Sequence, residues 1–210
     1  MKLYYSDVLS PRKACTVAKY LDAPVEFVFI DLGKGEHRTP EYRALNPNAK
    51  VPTLVDGDRT LWEADAIMCE LAERAGSDLW PHDRRQIDIV RWFSWSQQHF
   101  TNATGSLYFE HIIKPRFGLS GPDAAVVENA QAEFRRYAAV LDAHLNGRRW
   151  LIDDSLTLAD FAVAAALPFA ESAHIPLNEF TNVHRWHERL NELEAWREPF
   201  PATAETTGKE

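Results

Sequence analysis

Several places in the sequence put polar or charged side chains beside backbone groups that a fold leaves open. Glu63-Ala64 opens a helical stretch, Ala64 to Ala75, that Gly76 closes. The first N–H groups of a helix lack intrahelical partners and its dipole favours an anion, so a ligand carboxylate fits there, and the Glu63 carboxylate can pair with a ligand ammonium beside it. The plainer alternative is an acidic residue that simply favours a helix N-terminus. Ser10-Pro11 opens an earlier helix, with proline at a favoured first-turn position, which makes Ser10 an N-cap candidate. Its hydroxyl, or the N–H groups beside it, can face an anionic atom, or Ser10 merely caps the helix. Val51-Pro52, taken alone, reads as an ordinary trans proline entering a strand. Cys15 lies more than a turn inside the first helix among Ala14, Val17 and Ala18, which suits a buried inert thiol better than a redox nucleophile. His184 and His187, spaced i, i+3, could share a metal, but no third ligand is in sight, and they read as solvated helix residues.

The elements that must position these residues change character along the chain. Leu3-Tyr4-Tyr5 and Val25 to Ile30 read as strands, with a helix from Arg12 to Leu21 between them. Pro40 to Leu45 is a short helical turn; Thr53-Leu54-Val55 and Thr60-Leu61-Trp62 flank a hairpin turn at Asp56-Gly57-Asp58. The order is β-α-β, then β-β-α, a small mixed sheet with helices packed on it. Ser77 to Pro81 reads as a linker, and no strand is expected after it. Asp83 to Ile113 is a long helix or a kinked pair, followed by helices at Asp123 to Leu145, Thr157 to Ser172 and Asn182 to Leu193, with a frayed tail from Pro199. Thr157 with Asp160 fits a capping pattern, a structural feature. The aromatic stripe Trp92, Trp95, His99, Phe100, Tyr108, Phe109 and His111 suits a core or subunit contact, or the wall of an apolar site.

Bulk properties exclude several classes. A net charge of −8 over 210 residues argues against nucleic acid, whose phosphates need a basic excess. The longest uncharged apolar run, Phe161 to Ala170, is too short to span a bilayer, so no membrane partner is expected. Met1 to Tyr5 lacks a signal peptide's apolar stretch and runs into a strand. Cys15 and Cys69, far apart, form neither a disulfide framework nor a zinc site, and a reducing compartment is expected.

The segment Asn46-Pro47-Asn48-Ala49-Lys50-Val51-Pro52 resembles the N-P-x-x-x-V-P segment of the cytosolic glutathione transferases, with bacterial members in view and the class open. Trp62-Glu63-Ala64-Asp65-Ala66-Ile67 is similar to their E-S-x-A-I helix start, and Ser155 to Asp160 to the helix-start box of their second domain. The resemblance implies a thioredoxin-like α/β domain over 1–78, which holds glutathione, and an all-α domain over 86–210, which shapes an electrophile site. It implies a cis Val51-Pro52 bond, with the Val51 N–H and C=O pairing the cysteine of the tripeptide as a short antiparallel strand. The γ-glutamyl end then falls on Glu63 and Ala64, and the glycine carboxylate near Lys50, His37 and Arg38. Ala64 departs from the family, which has serine there, and the hydroxyl contact to the ligand carboxylate is missing.

Glutathione chemistry needs the thiolate, and a free thiol has a pKa near ~8.5, so a donor or a positive helix end must stabilise the sulfur. Ser10 is the first candidate, ahead of Tyr5 and Ser6; in the bacterial beta class a cysteine stands where this chain has Ser10. Trp95, His99 and Tyr108 are candidates for the electrophile site. The resemblance further implies no metal or prosthetic group, glutathione as co-substrate, a small apolar electrophile, a homodimer and a cytoplasmic detoxification enzyme. Two rival classes stay open. One is another glutathione-dependent enzyme on the same fold: a peroxidase, disulfide-bond reductase, dehalogenase or isomerase. A maleylacetoacetate isomerase is disfavoured, because its Ser-Ser-Cys run is missing. The other is a non-catalytic binding protein.

Overall fold

Aromatic and β-branched residues at period two build the strands of the first unit. The computed structural model describes residues 1–201, which divide into two units: Met1–Ala75 with residues 193–201, and Gly76–Glu192.

In the first unit β1 (Lys2–Tyr5) leads to α1 (Leu9–Tyr20) and β2 (Glu26–Phe29), then α2 (Pro40–Leu45), β3 (Thr53–Asp56), β4 (Arg59–Trp62) and α3 (Ala64–Arg74). The sheet order is β2-β1-β3-β4, with β1 parallel to β2 and antiparallel to β3, and β3 antiparallel to β4. Strand alternation sends Leu3 and Tyr5 into the core, where Tyr5 feels Cys15 of α1, while Tyr4 turns to the other face and meets Tyr42 of α2 edge-on. Ala14, Val17 and Ala18 of α1 and Ile67, Met68 and Leu71 of α3 complete the core. Gly57, with φ 58°, sits in the two-residue turn between β3 and β4, and Gly76, with φ 59°, follows α3.

Register decides what this sheet can present. Thr53 pairs with both Tyr4 and Trp62. The C-terminal ends of β1, β2 and β4 therefore lie on one rim with the N-terminal end of β3. The segments at Ser6 to Ser10, Ile30 to Arg38, Lys50 to Pro52 and Glu63 to Asp65 all leave or enter the sheet there.

Residues 193–201 depart from the expectation that they extend the helical domain or fray. Helix α10 (Glu194–Arg197) lies against α1: the Arg12 guanidinium donates to the Trp196 carbonyl and lies 4.9 Å from the Trp196 ring centroid. Phe200 stacks on Tyr5 with centroids 5.8 Å apart. A buried arginine and two aromatic contacts outweigh the chain entropy that would fray the end. The rest of that expected tail lies outside the described residues.

The second unit is helical. Its first long helix begins at Arg85, because the Asp83 carboxylate accepts from the Arg85 N–H at 2.8 Å, and it runs past Ile113 to Arg116. It is built as α4 (Arg85–Trp95), α5 (Thr101–Tyr108) and α6 (Lys114–Arg116), separated by wider π-helical turns at Ser96–Phe100 and Phe109–Ile113. Asp123 caps α7 (Ala124–His144), accepting from Ala125 and Val126. The helix expected over Thr157 to Ser172 is α8 (Leu158–Ala164) only. Pro168 is the reason: it lacks an N–H, and its ring clashes with the carbonyl four residues back, which belongs to Ala164. The chain goes on as a 3₁₀ turn at Leu167–Phe169 and reaches α9 (Thr181–Leu190). Among the described residues no helix is long and apolar enough to cross a membrane.

Candidate functional site

The rim of the first unit collects most of the polar positions named from the sequence. Val51-Pro52 is a cis peptide bond. Around it a hydrogen-bond network fixes the loop: the Tyr42 hydroxyl and the Asn46 amide both donate to the Lys50 carbonyl at 2.8 Å, and both bond the Thr53 hydroxyl, at 2.9 and 3.1 Å. The Asn46 side-chain oxygen accepts from the Asn48 N–H at 3.0 Å. The network stops at Lys50, and among the described residues the N–H and C=O of Val51 have no hydrogen-bond partner. Asn46 belongs to the N-P-x-x-x-V-P segment, but nothing in the sequence announces the reach of Tyr42 from α2 to Thr53.

One residue past Trp62, Glu63 starts α3 in a rare backbone conformation, φ 73° and ψ 120°, with no side-chain cap bond. For a residue with a Cβ this conformation costs about 1–3 kcal/mol, the kind of strain that persists where surrounding structure holds it. The Glu63 side chain is exposed and Ala64 is buried. The first intrahelical bond runs from the Ile67 N–H to the Glu63 carbonyl at 3.0 Å, which leaves the N–H groups of Ala64 and Ala66 without a bond among the described residues.

Ser10 is not the N-cap of α1 that its sequence suggests: the helix starts at Leu9 and the N-cap is Val8, without a side-chain cap bond. Proline is tolerated throughout a helix's first turn, where every N–H is unbonded, so Pro11 does not mark one position. Ser10 is the exposed second residue of the helix. Its hydroxyl and N–H still belong to the positive end of α1. Tyr5 has a different environment. It is 3% exposed, boxed by Phe27, Phe29 and Phe200, and burial raises its hydroxyl pKa, with Cys15 and Asp7 adding to the rise. Ser6 is buried and its carbonyl accepts from Val8.

His37 and Arg38 occupy a 3₁₀ turn, Glu36–Arg38, after β2. Arg38 Nε donates to His37 Nε2 at 3.2 Å; burial, then Arg38 and Arg43, hold the imidazole below its ordinary pKa. Its Nδ1 is buried without a partner, and with Nε2 accepting, Nδ1 carries the proton and is the free donor. Lys50 is exposed beside Val51. Cys15 is fully buried, and burial pushes its thiol far above the ordinary range.

In the helical unit the expected electrophile residues differ in exposure. Tyr108 is 4% exposed and packs edge-on against Phe169. Trp95 stacks on Phe100, and His99 stacks on Tyr137 at 4.6 Å; both keep partial exposure. His184 and His187 line a cavity of about 460 Å³ together with Glu171 and Glu188. Among the described residues no group of three or more His, Cys, Asp or Glu is placed to hold a metal ion.

Comparison with known proteins places this geometry in a family. The profile described as "Glutathione S-transferase, N-terminal domain" matches residues 2–73, and that described as "Glutathione S-transferase, C-terminal domain" matches residues 100–194. Glutathione S-transferase 3 of Zea mays is 36% identical over 177 residues, covering 82% of this chain and 79% of that protein. Among solved structures, glutathione S-transferase III in apo form superposes with a TM-score of 0.82 at 28% identity, covering 96% of this chain and 98% of that one. Glutathione S-transferase-I bound with the ligand lactoylglutathione gives a TM-score of 0.85 at 25% identity, covering 94% and 97%. With both domain profiles matching in order and a relative this similar over most of its length, the chain belongs to the glutathione S-transferase family.

Proposed function

We propose that the protein is a glutathione S-transferase that binds glutathione along the rim of its first unit and adds the thiolate to an apolar electrophile. The observation that carries the reading is the set of backbone groups on one rim without a partner among the described residues: the Val51 N–H and C=O, the Ala64 N–H at the start of α3, and the N–H groups of Leu9 and Ser10 in α1. An extended tripeptide complements that set. Its cysteine backbone pairs with Val51 beside Pro52, and its γ-glutamyl carboxylate takes the Ala64 N–H at the start of α3, while its ammonium meets Glu63. Its glycine carboxylate takes the exposed Lys50 ammonium, near His37 and Arg38.

In the reaction the thiol proton leaves to water. The Ser10 hydroxyl donates to the thiolate at the positive end of α1 and lowers the thiol pKa. The sulfur then forms a bond to the electrophilic carbon, and a leaving group departs or, in an addition, the new carbanion takes a proton from water. The exposed position of Ser10 supports it over Tyr5, whose caged ring and raised pKa suit packing. The helical unit supplies the apolar surface, with Trp95 and His99 better exposed than Tyr108. No metal or prosthetic group enters. Family membership supports a homodimer and a cytoplasmic detoxification role.

Titration calorimetry with glutathione, followed by turnover with halogenated nitroaromatics, hydroperoxides and mixed disulfides, tests the reading. Binding with conjugation of the halogenated aromatic is expected. Absence of binding by the folded protein refutes it, and turnover of only the disulfides makes it a reductase.

A further inference from the structure

Lys13 and Asp65 form an ion pair inside the first unit. Their side chains are 5% and 17% exposed. Lys13 follows Ser10 by three residues in α1, and Asp65 is the second residue of α3, next to Ala64. Taking two charges out of water costs much of what their attraction returns, so a pair of this kind is poorly explained by stability alone. Its position suggests another role. The Asp65 carboxylate belongs to the same helical turn as the Ala64 N–H assigned to the ligand's carboxylate. Uncompensated, it would repel a second carboxylate there, and the low local dielectric would strengthen the repulsion.

We propose that Lys13 is a positioning residue for glutathione: it neutralises Asp65, so that the first turn of α3 accepts the γ-glutamyl carboxylate, and it ties that turn to the helix carrying Ser10. The inference rests on the reading of the rim as the glutathione site. It makes the two partners unequal. Removing the lysine exposes a repulsive charge to the ligand, whereas removing the aspartate leaves an attractive one. A mere strut between α1 and α3 is weakened the same way by either loss.

The test measures the glutathione dissociation constant by calorimetry, and kcat and KM with a halogenated nitroaromatic, for the full-length protein and three variants. Lys13→Met should raise the dissociation constant and KM about tenfold with a smaller change in kcat, the size expected of a near, partly buried charge. Asp65→Asn should lower the dissociation constant roughly threefold, and the charge-neutral double variant should lie within about twofold of the parent, because the two effects cancel in a coupled pair. Equal weakening by both single changes, no effect of Lys13→Met, or a double variant as weak as Lys13→Met overturns the proposal. If Lys13→Met does not fold, the other two variants decide: tighter and near-parental binding support it, and weaker binding by either overturns it. Glu63→Gln, measured in parallel, separates the two levels. If it leaves affinity unchanged, the placement of the γ-glutamyl end fails and this inference with it; if it weakens binding while the pair behaves as a strut, only this inference fails.

Discussion

Two helices of this protein begin with similar-looking sequence boxes and end up in opposite states. At α8, Thr157 precedes Asp160 by three residues, and the start is closed. Asp160 is fully buried; one carboxylate oxygen accepts from the Thr157 N–H at 2.9 Å and its hydroxyl at 3.2 Å, the other from the Leu151 N–H at 3.0 Å and the Trp186 indole at 2.9 Å. At α3, Glu63 precedes Ala64 in a strained conformation, no side chain caps the helix, and the carboxylate points outward from the fold's own hydrogen bonds. A helix end that has consumed its own polar groups is architecture. One that holds them unsatisfied, against a backbone cost, is available to a ligand.

The sharpest way to break the comparison is at the closed end. Asp160→Ala strands the donors of Leu151, Thr157 and Trp186 in a dry core and should cost roughly 3–5 kcal/mol, a fall in Tm on the order of 10 °C, with glutathione affinity of the folded fraction unchanged. Burial raises the Asp160 carboxyl to about 6, against the opposing pull of its donors. Its folded pKa thus lies above the unfolded value, so protonation favours the folded state. The stability linked to this group is complete below about pH 4 and is lost as pH rises through about 6. The stability gap between the parent and Asp160→Asn, followed by thermal unfolding, should therefore narrow from pH 4 to pH 7. A gap that widens over that range would contradict the raised carboxyl.

At the open rim the largest effect should be on chemistry. Ser10→Ala removes a hydrogen bond to a charged sulfur, roughly 1.5–3 kcal/mol, and should lower kcat about ten- to a hundredfold while raising the apparent pKa of bound glutathione. Tyr5→Phe should do less, because the Tyr5 ring is enclosed by Phe27, Phe29 and Phe200. pH–rate profiles of the two variants decide; the reverse order gives the role to Tyr5.

Glu63 allows binding and strain to be separated. Glu63→Gln should weaken glutathione about tenfold with little change in Tm, since it removes a charge partner and no packing. Glu63→Gly should weaken binding as well but raise stability by about 1 kcal/mol, because glycine takes φ 73° without a Cβ clash and that gain exceeds its added chain entropy. Denaturant unfolding of the two variants checks it, and a Gly variant less stable than the parent removes the strain argument.

Local patterns were legible in the sequence, and contacts between distant segments were not. The strands, the Asp56-Gly57-Asp58 turn and the Thr157–Asp160 cap depend on residues a few positions apart, and all were read correctly. The start of α1 was misplaced by a proline that any first-turn position tolerates. Of the site, Val51-Pro52 and Glu63 were brought together only by the family resemblance; the Thr53–Trp62 pair that both flank is the physical reason. The Lys13–Asp65 pair, the Tyr42–Thr53 bond and the return of Trp196 to Arg12 join segments whose adjacency only the folded sheet creates. The backbone of Glu63 left no mark at all, because nothing in a glutamate announces a positive φ.

The smallest expected effect is a gain, and it is the finest test of the open helix end. Relatives of the E-S-x-A-I pattern carry a serine where this chain has Ala64, the first residue of α3. A serine there would donate one more hydrogen bond to the γ-glutamyl carboxylate beside the helix N–H groups. A bond to a charged group contributes roughly 1.5–3 kcal/mol where geometry is good, and the lower end applies because water serves the same oxygen in its absence. Since about 1.4 kcal/mol is a tenfold change in affinity, Ala64→Ser should tighten glutathione binding by roughly three- to tenfold. Ala64 is 5% exposed, so the added oxygen must be accepted by a close-packed turn, and an unchanged Tm is part of the prediction. The gain should appear in the dissociation constant and not in kcat, because the contact is distant from the sulfur and equal in ground and transition states. Calorimetry on both proteins reads it. Equal or weaker binding by the serine variant, with Tm unchanged, would mean that the open end of α3 holds some group other than a carboxylate, and the contrast with α8 would then lose its functional half.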